Sequence, residues 1–307
     1  MLLDLNSYPV KPVLPILLQD KTTKSNIIFA TDTYEELGDQ FSVTAQITET
    51  VLTNERFCLL PRVEKERTDQ AERTRNKAEV FTPGFIIQKM CAFYDEEWFG
   101  RPNVFECPDG QGWITENLPI AFPEEKTWQD YIYSTRIEIT CGEAPFLVSR
   151  YDTTTGVTIP IKSRIGILDR KLRIVNENTQ TEEDWLTWVE RAFQSVYGYE
   201  YQGDSLLIAR INLLITFAEY FEERFGRKAG NTELRKIANI ISWNLWQMDG
   251  TTGMVPFLER EAAVNQISMF DLLGGEVDKE METIPCMIHD WRSKETVEYN
   301  SLKGSKS

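Results

Sequence analysis

Histidine is almost absent from this chain of 307 residues, and His289 is the only one. A catalytic triad would have this one possible base, and no recognisable serine or cysteine nucleophile motif accompanies it. Five cysteines stand at positions 58, 91, 107, 141 and 286, and none forms a C-x-x-C pair. A zinc site would need most of these scattered residues to converge, so we expect no metal centre. A disulfide framework is not expected in a chain of this size, and a reducing, cytoplasmic setting is predicted.

Long apolar runs and an excess of basic residues are also lacking. No run of about 18 apolar residues occurs, and the first residues, MLLDLNSYPV, lack the basic and apolar regions of a targeting signal, so we expect no membrane association. The net charge of −15 argues against a non-specific nucleic-acid binder, although a local basic groove remains open. A hydrophobic content of 41% excludes a disordered chain, and the length indicates about two domains.

The periodicity of apolar residues predicts an α/β chain. Short apolar runs at 136–140, 196–200 and 244–248 read as strands, and Asn26–Ala30 reads as a further buried strand. Helical spacing covers 85–94, 128–133, 183–196, 204–225 and 232–241, with Thr181 as a cap. Proline and glycine interrupt 98–130, which is predicted to be irregular. Strands that alternate with helices predict a mostly parallel sheet with helical crossovers.

Each of the three later strands ends beside a glycine or a carboxylate. After Thr140 the chain continues Cys141–Gly142, and a helix is predicted to begin near Glu143 to Pro145. A glycine turn followed by free helix N–H groups is typical of a nucleotide-type site, and an ordinary β–α turn is the alternative.

The second and third strands end in acidic residues. Glu200 could accept two hydrogen bonds from ribose hydroxyls, or be a solvated carboxylate at a strand end. Asp249, before Gly250, could accept from an adenine amine, or form a simple Asp-Gly turn.

These motifs, in this order, resemble those of class I S-adenosylmethionine-dependent N6-adenine DNA methyltransferases. Lys77-Ala-Glu-Val-Phe-Thr-Pro83 resembles their entry motif, and Cys-Gly-Glu-Ala-Pro-Phe-Leu at 141–147 resembles their methionine-binding loop. Tyr-Gly-Tyr-Glu at 197–200 and Trp-Gln-Met-Asp-Gly at 246–250 resemble the second strand and the adenine-binding turn. More closely, the chain resembles bacterial and phage proteins labelled restriction endonuclease subunit M, and the resemblance covers roughly residues 25–303.

The resemblance implies a Rossmann-like methyltransferase core that binds S-adenosyl-L-methionine. It places Thr82 beside the methionine portion, Glu200 on the ribose hydroxyls and Asp249 on the adenine amine. Further residues along the methionine and ribose region would be Glu138, Thr140, Cys141 and Gly142. The implied domains are an N-terminal extension at 1–75 that packs on the core, and a methyltransferase-like domain at 76–307 with an insertion at about 152–182.

The chain departs from the family where the target base would react. No Pro-Pro occurs, so the family's [DNS]-P-P-[YFW] motif is missing. Asp290 and Trp291, at the end of the predicted fourth strand, could imitate its amine acceptor and its stacking ring, or be a simple strand-end pair. The residues after 291 are too few for three more strands. We therefore expect a sheet incomplete at one edge, covered by the N-terminal segment, a homo-oligomer or a partner subunit.

Three functions remain open from the sequence. The first is adenine-N6 methylation of DNA in a restriction-modification or phage-defence system, with the basic strip at 62–77, including Arg73, Arg75 and Lys77, as the candidate DNA contact. That strip is alternatively a solvated helix or mobile segment. The second function is a catalytically silent methyltransferase-fold subunit that binds cofactor or a protein partner. The third is methylation of a protein, an RNA or a small molecule.

Overall fold

The computed structural model describes residues 2–65, 82–261 and 281–302, and within them the protein is α/β. The helices are α1 (Leu14–Leu18), α2 (Glu49–Leu52), α3 (Gly84–Phe99), α4 (Trp128–Tyr133), α5 (Ile167–Asn178), α6 (Glu182–Gln194), α7 (Gly203–Phe225), α8 (Asn231–Asn244) and α9 (Tyr299–Leu302). The strands are β1 (Glu106–Asp109), β2 (Gly112–Thr115), β3 (Arg136–Glu138), β4 (Val196–Glu200), β5 (Leu245–Gln247), β6 (Met254–Glu261), β7 (Met281–Pro285), β8 (Met287–Asp290) and β9 (Glu295–Glu298).

The centre of the fold is a parallel sheet in the order β3-β4-β5. The chain crosses from β3 to β4 through α5 and α6, and from β4 to β5 through α7 and α8. The prediction of parallel strands with helical crossovers is therefore confirmed for these strands. Their carboxyl ends lie at the same edge of the sheet, which brings the loops after Glu138, Glu200 and Gln247 to that edge.

The crossover helices follow from their sequences. Thr181 caps α6, with its hydroxyl accepting from the Asp184 N–H at 3.2 Å, as predicted. The acidic first turn of α6 complements the positive end of the helix. Helix α7 is buried on nearly all sides from Gly203 to Phe221, because apolar residues surround its axis. It is the central helix of the core.

Residues 2–65 pack into the same hydrophobic cluster as these helices. Leu17, Phe29 and Phe41 are fully buried, and the Phe29 ring contacts the rings of Phe41 and Phe57. The predicted strand Asn26–Ala30 is wrong, because Asn26 and Ile28 make only isolated bridges, to Gln19 and Gln46, and the segment joins no sheet of the described residues. The predicted domain boundaries at 1–75 and 76–307, and the insertion at about 152–182, stay predictions.

Two local predictions between 98 and 150 are corrected by the structure. Residues 106–115 form the β1–β2 hairpin, because the glycines that would interrupt a helix also make its turn, with Gly110 at φ 61°. No helix begins at Glu143 to Pro145. These residues form turns, Ala144 has a φ of 62°, and the next α-helix begins only at Ile167.

The last described residues form antiparallel pairs. Strand β6 pairs with β7, and β8 pairs with β9. A second hydrophobic cluster, which includes Tyr199, Trp246 and Ile288, joins them to the sheet. The predicted fourth parallel strand ending at Asp290 and Trp291 is therefore wrong, since β8 belongs to a separate hairpin. Within the described ranges, β3 is an edge strand, with Ile137 47% and Ile139 62% exposed.

Candidate functional site at the carboxyl ends of the parallel strands

The loop after β3 has an unusual backbone. Thr140, Gly142 and Ala144 have φ values of 46°, 52° and 62°, whereas Cys141 and Glu143 between them do not lie in the positive region. Glycine adopts this region freely, but a β-branched threonine does so at a cost of about 1–3 kcal/mol. The N–H groups of Cys141, Gly142 and Ala144 donate to the Tyr199 carbonyl, the Glu200 carboxylate and the Cys141 carbonyl at 2.7–2.8 Å, so hydrogen bonds within the protein hold this backbone. Strain of this kind is typical of a binding loop.

Glu200, the last residue of β4, fastens this loop to the sheet. Its Oε2 accepts from the Gly142 N–H at 2.8 Å, and its Oε1 accepts from the N–H groups of Tyr201 and Gln202 at 2.9 and 3.2 Å. Burial raises the pKa of Glu200, while these three N–H groups oppose that shift. A carboxylate has about four acceptor positions, so Oε2 retains capacity for one hydroxyl donor.

Glu138 supports the loop from inside the protein. Its buried carboxylate accepts from the N–H groups of Phe146 and Leu147 at 3.3 and 3.1 Å. Burial raises its pKa well above the ordinary value, and the nearby charge of Glu200 raises it further. The Leu147 N–H also donates to the Ala144 carbonyl at 3.1 Å, so these residues form a turn in place of the predicted helix from Glu143. Glu138 thus positions the loop.

Cys141 and Thr140 face different surroundings. Cys141 is buried, its N–H donates to the Tyr199 carbonyl at 2.8 Å, and burial raises its thiol pKa well above the ordinary value. A protonated thiol in this position is a packing group and not a nucleophile. Thr140 is exposed and is available to a ligand at the loop surface.

Asp249 forms the turn that the sequence left as an alternative. Its Oδ1 accepts from the N–H groups of Thr251 and Thr252 at 2.8 and 3.3 Å, and its carbonyl accepts from Gly253. A side chain at Gly250 would approach the Tyr199 ring to 2.8 Å, which accounts for the glycine there. Asp249 is half-buried, so its second oxygen could still serve a ligand.

Thr82 lies against another part of the long connection after β3. Its carbonyl accepts from the Thr153 hydroxyl at 2.8 Å, and the next helix begins with the Gly84 N–H on the Asp152 carboxylate at 3.1 Å. The structure thus joins the Glu200 carboxylate to the loop that contains Cys141 and Gly142, whereas Thr82 contacts Thr153. Residues 77–81 of the predicted entry motif, together with Arg73 and Arg75, lie outside the described residues.

Asp290 and Trp291 do not reach this site. The Trp291 indole N–H donates to the side-chain oxygen Oδ1 of Asn244 at 2.7 Å. The side-chain amide of Asn244 in turn donates to the backbone carbonyl of Val196 at 2.9 Å. Val196 is the first residue of β4, so Trp291 lies by the amino ends of the strands. Glu200 is one strand length away, about 13 Å at 3.3 Å per residue. The structure therefore places Trp291 at the other end of the strands from Glu200, and a catalytic role of Asp290 and Trp291 stays a prediction that this position does not favour.

A polar network behind the loop was not predicted from the sequence. The Glu143 carboxylate accepts from the Tyr151 hydroxyl at 2.6 Å and from the Arg62 N–H at 2.6 Å. Asn212 donates to the Glu143 carbonyl at 3.0 Å and accepts from Arg150 at 3.0 Å. The sequence feature that could have indicated this network is Asn212, which lies inside the apolar stretch of α7, because a buried side-chain amide needs hydrogen-bond partners. Arg62, the first residue of the basic strip, is itself buried.

The described part of the chain contains no group of three or more His, Cys, Asp or Glu side chains that could hold a metal ion. All five cysteines are free. No helix within the described ranges is long and apolar enough to cross a membrane. Comparison with protein-family models, with curated proteins and with solved structures finds no match to this chain. The methyltransferase resemblance therefore stays a prediction based on the motifs.

Proposed function

We propose that the protein binds S-adenosyl-L-methionine at the carboxyl ends of β3, β4 and β5, as a methyltransferase-like protein with a Rossmann-like core. The observation that carries this proposal is the hydrogen bond between Glu200 and the Gly142 N–H. It unites the acidic end of the middle strand with the glycine loop of its neighbour, which is where nucleotides bind in parallel sheets.

The chemistry of the two groups suits different parts of this cofactor. Glu200 offers an acceptor for a ribose hydroxyl, and the strained loop at 140–144 lies beside it, where the methionine portion would bind. Asp249 would accept from the adenine amine with the oxygen that its turn leaves over. When bound, the cofactor supplies the methyl group, and these residues hold and orient it.

The activity that the resemblance implies is adenine-N6 methylation of DNA in a restriction-modification or phage-defence system. The alternative is a catalytically silent subunit that binds the cofactor or a protein partner. The position of Asp290 and Trp291 near the amino ends of the strands favours this alternative, because it removes the sequence's candidate for the amine acceptor and the stacking ring.

Calorimetry with S-adenosyl-L-methionine, followed by transfer of a labelled methyl group to DNA, tests both. We expect one-to-one binding that Glu200→Gln weakens at least tenfold, since its amide would turn a donor toward the Gly142 N–H. Glu97→Gln, on the exposed face of α3, is the matched control and should bind as the wild type does. Binding with transfer supports the methyltransferase, and binding without transfer supports the silent subunit. No binding at millimolar cofactor overturns the proposed cofactor site and leaves only a subunit that binds a protein partner.

A partner subunit or a second copy of the chain is proposed for the free edge of β3. Ile137 and Ile139 are exposed along a strand that has no outer neighbour within the described ranges. An unpaired edge with apolar side chains favours pairing with another chain. Sedimentation of the wild type and of Ile139→Lys tests this, because the lysine should shift an oligomer to monomer. A wild-type protein that is already monomeric would exclude the second copy.

A further inference from the structure

Phe257 is an exposed aromatic residue in an unusual backbone position. Its φ is 55°, which bulky residues rarely adopt, and 54% of it is exposed. The register of β6 against β7 shifts between Met254 and Glu259, on either side of this residue. Such irregularities re-aim a side chain and are common next to active sites. Strand β6 thus holds an apolar ring in a strained conformation, although much of that ring stays outside the core.

The Phe257 ring lies beside the proposed cofactor site. Its centroid is 6.1 Å from that of the Tyr201 ring, with an angle of 61° between the two planes. Tyr201 directly follows Glu200, and its N–H donates to the Glu200 carboxylate at 2.9 Å. Strand β6 is also tied to Asp249, because the Asp249 N–H donates to the Met254 carbonyl at 2.9 Å. The two rings therefore lie where the segments that carry Glu200 and Asp249 meet.

Tyr201 is fixed in place and lies close to the Asp249 carboxylate. The Tyr201 carbonyl accepts from the Gln247 side chain at 2.8 Å, which holds it against the end of β5. Burial raises the pKa of the Tyr201 phenol, and the nearby charge of Asp249 raises it further. Because more than half of Phe257 is exposed, the pair leaves ring surface uncovered. Aromatic rings attract one another in stacked and edge-to-face arrangements, so this surface suits a flat ring of a ligand.

The polar groups of the site suit a nucleoside better than an amino acid. Glu200 offers an acceptor to a ribose hydroxyl, and Asp249 offers one to the amine of a base. By contrast, the loop N–H groups at positions 141, 142 and 144 all donate within the protein, so they are not free for the carboxylate of a methionine portion. The base and the ribose therefore have the better-matched surroundings.

We propose that Phe257 determines the ligand specificity of this site, because with Tyr201 it forms the platform on which an adenine ring stacks, and that the adenosine part of the ligand supplies most of the affinity. This inference rests on the proposed function. It narrows the ligand class to adenosine derivatives, with or without a methionine portion. Stacking on an aromatic side chain uses the face of the base, which leaves the amine at its edge for Asp249.

Calorimetry on the full-length chain tests this inference with S-adenosyl-L-methionine, adenosine and L-methionine as separate probes. We expect adenosine to bind within tenfold of S-adenosyl-L-methionine, and L-methionine not to bind at millimolar concentration. Phe257→Gly should weaken the binding of adenosine at least tenfold, whereas Phe257→Tyr, which keeps the ring, should bind it as the wild type does. Phe93→Ala, which removes an exposed ring from α3, is the matched control and should not change binding.

Urea midpoints separate a ligand-binding role of Phe257 from a structural one. Glycine adopts a φ of 55° without strain, and the exposed ring contributes little to the core, so the midpoint of Phe257→Gly should not fall below that of the wild type. If the glycine variant does not fold, Phe257→Leu replaces it, because leucine keeps an apolar contact with Tyr201 but has no aromatic face. The leucine variant should also lose at least tenfold in affinity for adenosine.

The outcomes distinguish this inference from the proposed function. If adenosine binds more than tenfold more weakly than S-adenosyl-L-methionine, or if the folded Phe257 variants bind adenosine as the wild type does, the inference is overturned and the proposed cofactor site stands. If adenosine binds and depends on Phe257, but S-adenosyl-L-methionine does not bind, the inference stands and the proposed cofactor is overturned. If neither ligand binds at millimolar concentration, both are overturned.

Discussion

The substitution Gly203→Ala should separate the N-terminal segment from the central helix. A Cβ at Gly203 would lie 1.9 Å from the Ile28 carbonyl oxygen, whereas ordinary contact begins at 3.4 Å, so one backbone must retreat by 3.4 − 1.9 = 1.5 Å. Neither partner is a flexible side chain, because Gly203 begins α7 and Ile28 is held at both its N–H and its carbonyl by Gln247 at 2.9 Å. The clash therefore cannot be relieved locally.

The magnitude follows from the hydrogen bonds that such a shift breaks. Two join Ile28 to Gln247, and a third joins the Gly203 N–H to the Phe29 carbonyl at 2.9 Å. At about 1 kcal/mol each, these bonds amount to roughly 3 kcal/mol. Overpacking adds about 1–3 kcal/mol. We expect Gly203→Ala to lower the free energy of unfolding by about 4–6 kcal/mol.

Urea unfolding followed by tryptophan fluorescence measures this loss. Gly230→Ala is the matched control at the start of α8, where the new Cβ would meet only the flexible Glu233 carboxylate at 2.7 Å in a backbone conformation that alanine adopts. The control should lose less than about 1 kcal/mol. If Gly203→Ala loses no more than the control, the segment 26–30 is not held against α7 as described.

Three further predictions concern buried side chains. Burial lowers the pKa of Lys21 from 10.5 to about 8, so between pH 8 and 10.5 the unfolded chain binds more protons than the folded chain. The free energy of unfolding should therefore rise with pH in this range, and Lys21→Met should flatten the rise, as measured by urea midpoints. Lys171→Met removes three hydrogen bonds that the ammonium group donates at 2.5–2.9 Å, including the one to Ser195. It should lower the free energy of unfolding by about 3 kcal/mol, and unchanged stability in urea would contradict this account. Trp291→Phe loses the bond to Asn244 and should cost about 1 kcal/mol while S-adenosyl-L-methionine affinity stays constant, and a large loss of affinity would argue against its distance from Glu200.

The sequence by itself determined the local elements whose signals are short in range. Thr181 with its acidic neighbours predicted the start of α6, and the apolar periodicity predicted α7 to within one residue. The strand at 196–200 and its terminal Glu200 were predicted correctly, because a buried β run and its end are visible within a few residues. Parallel order followed from the alternation of strands with helices.

Tertiary structure decided where those elements meet. The loop after Glu138 became a strained turn and not a helix, and the Glu138 side chain holds it through the N–H groups of residues 146 and 147. Trp291 went to the amino ends of the strands because its indole pairs with Asn244, about fifty residues earlier in the chain. The cavity lined by Phe105, Arg173 and Tyr220 has no sequence signal, since its walls come from separate parts of the chain. Pairings between distant residues depend on packing, and no local pattern encodes them.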